Sequence, residues 1–275
     1  MSNIFHDIKS LRIQGATNIA LASLKYLKKF SDKKGFGKKF DIETEKLLRL
    51  RPTAVVLYNV INELKKEKSN EKISQLIQEL ENAKERIAKN GAPLIKNGFQ
   101  VHTHCHSTHA LAVIKEAALQ GKRFSVIVDI TEPRLQGVKT AKELAKMENI
   151  KVILIADNAA GLALSPPFFP IDDLVIVGAD AIRKEGVVNK IGTYLLAVAA
   201  KEQKIPFYVA TTTFAIDKRR KFKIEERPAS EIYKKIPGVE IRNPAFDITP
   251  LKYITGFITE KGIFSSEEFR RDFIY

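Results

Sequence analysis

The chain has 275 residues, too many for a minimal domain and enough for one large domain or two. Its single cysteine excludes an internal disulfide framework and fits a reducing compartment, so a cytoplasmic location is expected; no apolar run is long enough to span a bilayer and the first residues carry no signal-peptide core, so no membrane is expected. Lysine and arginine number 46 against 32 aspartates and glutamates, a formal net charge of +14, but the basic residues are dispersed without a nucleic-acid module, which reads as solvated surface and leaves direct RNA binding resting on charge alone.

In chain order, the amino-terminal third reads as helices over residues 15–30, 42–50, 52–66 and 71–90, the last with Ile73, Leu76, Ile77, Leu80, Ala83 and Ile87 at helical spacing. Gly91-Ala92-Pro93 breaks the pattern and sets the expected boundary between a helical domain, 1–95, and a second domain, 96–275. Beyond it, apolar strand-length runs at 99–103, 124–128, 152–155, 174–177, 207–210 and 253–258 alternate with helix-length segments at 107–120, 137–149, 158–164 and 192–203. Runs apolar on both faces and separated by helices predict an α/β fold with a parallel, Rossmann-like sheet whose site lies at the carboxyl ends of the strands.

Candidate chemistry concentrates at those strand ends. Between Val101 and Ala110 the chain places its only cysteine and four of its five histidines. Cys105 falls where a strand hands over to a helix, an electropositive junction expected to favour a thiolate or a bound phosphate, with Ser107 and Thr108 at the helix entrance. His102, His104 and His106 alternate at strand spacing, so a shared packing face is one reading and a metal site another; the lone cysteine lacks the spaced pairs of a structural zinc site, and no metal is assigned. Asp180 leaves an apolar strand through Gly178 and is expected to be buried and protonated, facing the Cys105 thiolate as an acid/base pair; capping of the following turn is its plainer reading. Residues 187–193 open a further helix, where Asn189, Lys190 and free backbone N–H groups suit a sugar hydroxyl and a phosphate oxygen, although both residues also serve in ordinary loops.

At these residues the chain resembles the alpha, beta and delta regulatory subunits of translation initiation factor 2B with their archaeal homologues, and the related methylthioribose-1-phosphate and ribose-1,5-bisphosphate isomerases. The resemblance runs through Gln14-Gly15-Ala16, Arg51-Pro52-Thr53-Ala54, Thr103-His104-Cys105, Gly178-Ala179-Asp180, Asn189-Lys190-Ile191-Gly192-Thr193 and the segment from Asn243-Pro244 to Thr249-Pro250, covering nearly the whole chain. It implies a helical domain followed by a Rossmann-like one, a homodimer or larger homo-oligomer, and chemistry that needs no cofactor. In the isomerase branch it makes Cys105 and Asp180 the pair that moves a proton in aldose-to-ketose conversion, with Gln14, Gly15, Ala16, Arg51, Asn189 and Lys190 at substrate-contacting positions.

Three positions depart from the isomerase pattern. An arginine is replaced by Gln14, a second guanidinium position holds Glu132 in Ile130-Thr131-Glu132-Pro133, and an expected lysine is Ala215, with Lys218 and Arg219 nearby as imperfect substitutes. A charge-assisted hydrogen bond contributes about 1.5 to 3 kcal/mol, so losing two or three disfavours ribose-1,5-bisphosphate itself and leaves a phosphosugar with one phosphate or a nucleotide as the expected ligand. The losses favour a translation subunit that binds the alpha subunit of initiation factor 2, with a retained sugar-phosphate pocket; retention of Cys105 and Asp180 favours the alternative, an aldose–ketose isomerase.

Overall fold

The computed structural model describes residues 4–10, 12–13, 15–51, 53–165 and 173–274. The helical part comprises α1 (Ile4–Lys9), α2 (Ala16–Lys34), α3 (Lys38–Leu50), α4 (Val55–Lys66) and α5 (Asn70–Gly91). Their apolar stripes meet in one core, where Leu24, Leu27, Phe40, Leu47, Leu57 and Ile61 lose essentially all solvent contact. Ser69 caps α5 by accepting from the Lys72 N–H at 3.0 Å. The stripe of α5 then runs from Ile73, Leu76 and Leu80 in this core to Ile87 in the core of the sheet. At its end Gly91 lies so close to Val113 and Ile258 that an added Cβ would sit within 3 Å of both side chains.

The remainder alternates strands and helices: β1 (Gln100–Thr103), α6 (Thr108–Leu119), β2 (Phe124–Asp129), α7 (Gln136–Leu144), β3 (Ile150–Ile155), α8 (Ala160–Ala163), β4 (Leu174–Val177), β5 (Ala181–Arg183), β6 (Gly186–Lys190), α9 (Thr193–Glu202), β7 (Phe207–Ala210), β8 (Phe246–Thr249), β9 (Gly256–Thr259), β10 (Gly262–Ser265) and α10 (Ser266–Phe269). Seven strands form one sheet in the order β10-β9-β7-β4-β1-β2-β3, parallel except for β10. Leu174 and Ile176 pack with α5, α6 and α7, whereas Val175 and Val177 pack with α8 and α9, so central strands are apolar on both faces because helices cover both. The chain winds outward from β1 through β2 to β3, then returns to place β4 on the other side of β1, with Val101 paired to Leu174. That reversal opens a crevice above the carboxyl ends of β1 and β4.

Several expected elements are corrected. Residues 187–190 are strand β6, not a helix entrance, and pair antiparallel with β5 and β8 in a second, three-stranded sheet; α9 begins only at Thr193. These strands are too short to carry a distinct periodicity, and β8 is supplied from far along the chain. Helix α7 stops at Leu144, residues 158–164 divide into a 3-10 turn and the short α8, and Tyr253 lies in a 3-10 turn ahead of β9. Pro52, placed at a helix start from sequence, lies outside the described residues. Among the described residues no helix is long and apolar enough to cross a membrane.

A polar clasp ties β1 to β2 under the crevice. Asp129, at the end of β2, receives His102 Nε2 and His104 Nδ1 on its two oxygens, each at 2.9 Å, and all three side chains are buried. Burial pushes the Asp129 pKa up, but the hydrogen bonds from His102 and His104 outweigh it and hold the carboxyl below its ordinary value. The stability this contributes is present above the unfolded-state carboxylate pKa and is lost as pH falls through the depressed folded value. Asp129→Ala leaves two buried imidazoles without their acceptor, and we expect a loss of about 3 kcal/mol, read as a lower denaturant midpoint at neutral pH; an unchanged midpoint would contradict it.

Candidate active site

The crevice is built from the ends of strands and the starts of helices. Cys105 follows β1 with φ of 68°, a left-handed residue pinned on both sides: its N–H donates to Thr131 Oγ1 and its carbonyl accepts from Thr140 Oγ1, each at 2.9 Å. This reversal ends the strand alternation, so His102 and His104 share Asp129 while His106 turns to Thr140. Ser107 then caps α6 through the Ala110 N–H. On the far side, β4 exits through Gly178, where a Cβ would stand 2.1 Å from Ser107 Oγ. Glycine is required here by the close approach of two chain segments, which brings Asp180 across the crevice from Cys105. Asp180 is held by its N–H to the Val188 carbonyl at 2.9 Å.

One cavity is lined by Cys105, Ser107 and Thr108 from the first segment and by Asp180, Asn189 and Lys190 from the opposite one. Gly15, Ala16 and Arg51 reach it from the helical part. Gly15, at φ of 83°, allows the start of α2 to lie against Thr108 at the start of α6, so two helix amino-termini converge on the same space and favour an anion there. Gln14 lies outside the described residues.

The protonation pattern is the reverse of that expected from sequence. Burial pushes the Cys105 thiol up to about 12, and the nearby carboxylates Asp180 and Asp157 add to this against Lys190, so the free protein holds a thiol and not a thiolate. Asp180 is pushed up to about 6 by burial, restrained by Arg51, and is therefore largely ionised at neutral pH. Burial lowers the Lys190 pKa and brings His109, at the first turn of α6, down to about 4, leaving that imidazole neutral.

The α9 start also differs from expectation. Its Gly192 and Tyr194 N–H groups donate to Asp247 Oδ2 at 2.8 and 3.0 Å, and Asn189 Nδ2 donates to Thr193 Oγ1 at 3.0 Å. An internal carboxylate thus occupies the place where a free anion site was expected.

Cations absent from the expected sequence positions are supplied elsewhere. Glu132 is exposed, its N–H donating to Asp157, while Arg134 two residues on lines the cavity. Arg227 lines it as well, between Glu225 and Glu231. Ala215 is fully buried in the helical core, and Arg219 pairs with Asp217 and stacks on Tyr58, so neither it nor Lys218 lines this cavity. Gln136 places a buried amide oxygen with no hydrogen-bond partner beside the cavity. Sequence reasoning missed Arg134, Gln136, Arg227, Glu225 and Glu231; residues 225–231 mix charges like solvated surface, and nothing local shows that they reach this cavity.

His104, Asp129 and Asp157 bring ligand atoms within 4.8 Å of one another. Their atoms are already engaged: His104 Nε2 donates to the Ile191 carbonyl at 2.9 Å, and the Asp157 oxygens accept from the Thr131 and Glu132 N–H groups. The donor set fits a hydrogen-bond scaffold beneath Cys105.

The model for the initiation factor 2 subunit family, IF-2B, matches residues 12–266. The chain belongs to the IF-2B family. It is 40% identical to the ribose 1,5-bisphosphate isomerase of Archaeoglobus fulgidus over 94% of this chain and 88% of that one. It is 38% identical to the methylthioribose-1-phosphate isomerase of Geotalea uraniireducens over 94% and 83% of the two chains. Among solved structures, the translation initiation factor eIF-2B of Pyrococcus horikoshii superposes with a TM-score of 0.82 at 33% identity, covering 98% of this chain and 97% of that chain. IF-2B relatives thus carry both enzyme and translation names, and the fold alone does not choose between them.

The thiol state is directly measurable. At about pH 8 an ordinary cysteine, with pKa near 8.5, is partly thiolate. We expect Cys105 in the folded protein to be alkylated by iodoacetamide at least about tenfold more slowly than in the urea-unfolded chain, as followed by mass spectrometry. Equal rates would show that the thiolate is not suppressed.

Proposed function

We propose that this IF-2B protein is an aldose–ketose isomerase acting on a ribose-1-phosphate-type sugar. The observation that carries the reading is the placement of the Cys105 thiol and the Asp180 carboxyl in one cavity, with α2, α6, Arg51 and Lys190 supplying positive potential for a phosphate. The names of the relatives that match nearly the whole chain support it, and so do Arg134 and Arg227, which offset the guanidinium losses read from sequence.

The reaction is an isomerisation and balances without a cofactor. A base takes the proton from C2 as the C1–ring-oxygen bond breaks and an acid protonates that oxygen, giving an enol; loss of the C2 hydroxyl proton and protonation at C1 complete the ketose. Asp180, ionised above about pH 6, is suited to accept the C2 proton, and the Cys105 thiol is suited to donate. The buried Gln136 oxygen is suited to accept from a sugar hydroxyl. Arg51 and Lys190 are suited to neutralise phosphate charge.

Purified protein is expected to convert ribose-1,5-bisphosphate or methylthioribose-1-phosphate to the corresponding ketose. Cys105→Ala and Asp180→Asn are each expected to lower kcat by about 10² to 10⁴. Because the base must be ionised, kcat/KM should rise with pH through an apparent pKa near 6 and fall away below it. No turnover of either sugar, with the protein folded, would refute the reading.

A second reading is favoured by the 0.82 superposition with a protein named translation initiation factor eIF-2B: a translation subunit that binds the alpha subunit of initiation factor 2. It predicts salt-sensitive binding to that partner, weakened by charge reversal on exposed lysines and not by Cys105→Ala. Either reading accommodates homo-oligomer formation, supported by exposed Leu195 and Tyr194 on α9 and Leu162 on α8.

A further inference from the structure

Cys105 is held from one side by a turn that is itself forced. Between β2 and α7 the chain passes through two left-handed residues, Thr131 at φ of 64° and Leu135 at φ of 56°, and the left-handed Cys105, at φ of 68°, is bonded to the first of them. None of the three is glycine, and Thr131 is β-branched, the kind of side chain that tolerates that region least. The turn is also tight: Gly137 lies so close to Asp129 that an added Cβ would stand 1.7 Å from its carbonyl oxygen. Such conformations persist where neighbouring groups over-determine them. Here the fixing group is Asp157, in the 3-10 turn after β3, whose two oxygens accept from the Thr131 and Glu132 N–H groups at 2.6 Å each. Bonds to a carboxylate are charge-assisted and roughly twice as strong as neutral ones. Thr131, fully buried, passes the constraint on: its Oγ1 accepts from the Cys105 N–H at 2.9 Å and donates to the Asp129 carbonyl at 3.0 Å. Asp157 itself does not line the cavity.

We propose that Asp157 is a positioning residue for the proton transfer, acting through Thr131 to hold Cys105 in the backbone conformation that presents its thiol to the cavity. This rests on the isomerase reading above. Rotation about the N–Cα bond carries Cβ and the sulfur with it, so a Cys105 relaxed to an ordinary negative φ would aim its thiol elsewhere. Thr140 holds the carbonyl on the far side of that bond, and Thr131 holds the N–H on the near side. Fixing both leaves the sulfur little freedom. A misplacement of about 1 Å at a reacting group can cost about 100-fold in rate, so a group outside the cavity can still govern the chemistry within it. The half-buried Asp157 carboxylate also adds negative potential at the sulfur, which helps to keep the thiol protonated.

Asp157→Ala and Thr131→Val break the relay at its two joints, whereas Thr131→Ser keeps the hydroxyl. With ribose-1,5-bisphosphate or methylthioribose-1-phosphate as substrate, the first two are each expected to lower kcat by about 10- to 100-fold while KM changes by less than about threefold, and Thr131→Ser to restore most of the wild-type kcat. In the folded protein, well below the unfolding transition, Cys105 should react with iodoacetamide at least about threefold faster in Asp157→Ala and Thr131→Val than in wild type, because the thiol is released from its enclosed conformation. Asp157→Asn, which keeps the side-chain size and one acceptor oxygen, takes the place of Asp157→Ala if that variant does not fold. Unchanged kcat and alkylation in the Asp157 variant, or a Thr131→Ser protein as impaired as Thr131→Val, overturns the proposal while leaving the isomerase reading intact. Should wild type turn over neither sugar, that reading falls and alkylation alone decides the hold on Cys105: faster reaction in the Asp157 variant and Thr131→Val but not in Thr131→Ser supports it, and equal rates overturn it.

Discussion

The pairing of β1 with β4 is the constraint on which the site depends. Two complete strand–helix units separate these strands in sequence, yet they are hydrogen-bonded neighbours, and the chain reverses its winding direction between them. A parallel sheet leaves unfilled space above such a reversal, because the connections depart to opposite sides. Cys105 and Asp180 stand on the two banks of that space. Gly178 sets its width by admitting Ser107, and the Asp129 clasp fixes the floor by holding His102 and His104 in one orientation. The chemistry is then a result of enclosure. Two groups of quite different intrinsic acidity are taken partly out of water, and each moves toward its neutral form, the thiol far above neutrality and the carboxyl only to its lower edge.

Charge around the cavity is balanced in alternation. Arg51, Glu225, Arg227, Glu231 and Arg134 form a row in which each carboxylate lies between guanidiniums. Such a row keeps buried charges from being orphaned while no substrate is bound and leaves a net positive end at the rim. Asp247 does the same for the start of α9, satisfying its N–H groups from within. Anion affinity is thereby directed toward α2 and α6.

Much of this was legible in sequence, for identifiable reasons. The α5 stripe and the doubly apolar strands announced themselves through period and length, and the Cys105 and Asp180 segments through their position at strand ends. Compensation was not legible. Glu132 looked like the loss of a cation because local reading assigns one role to one position, whereas the structure admits Arg134 to the same cavity from two residues later. The 225–231 segment carried no periodicity, and its place over the cavity follows from β8 joining β6, a long-range pairing that no window along the chain contains. The thiolate expected at Cys105 failed for a related reason: a helix entrance suggests positive potential, but burial of the sulfur by the folded chain raises its pKa, and carboxylates brought from other strands add to the effect.

Helix α5 belongs to both cores, with Leu76 and Leu80 among the amino-terminal helices and Ile87 beneath the sheet, and its end is wedged between Val113 and Ile258. A continuous helix shared in this way acts as a stiff strut. It prevents the two halves from sliding apart at that edge and leaves a pivot about α5 as the motion that would widen the cavity, which both halves line.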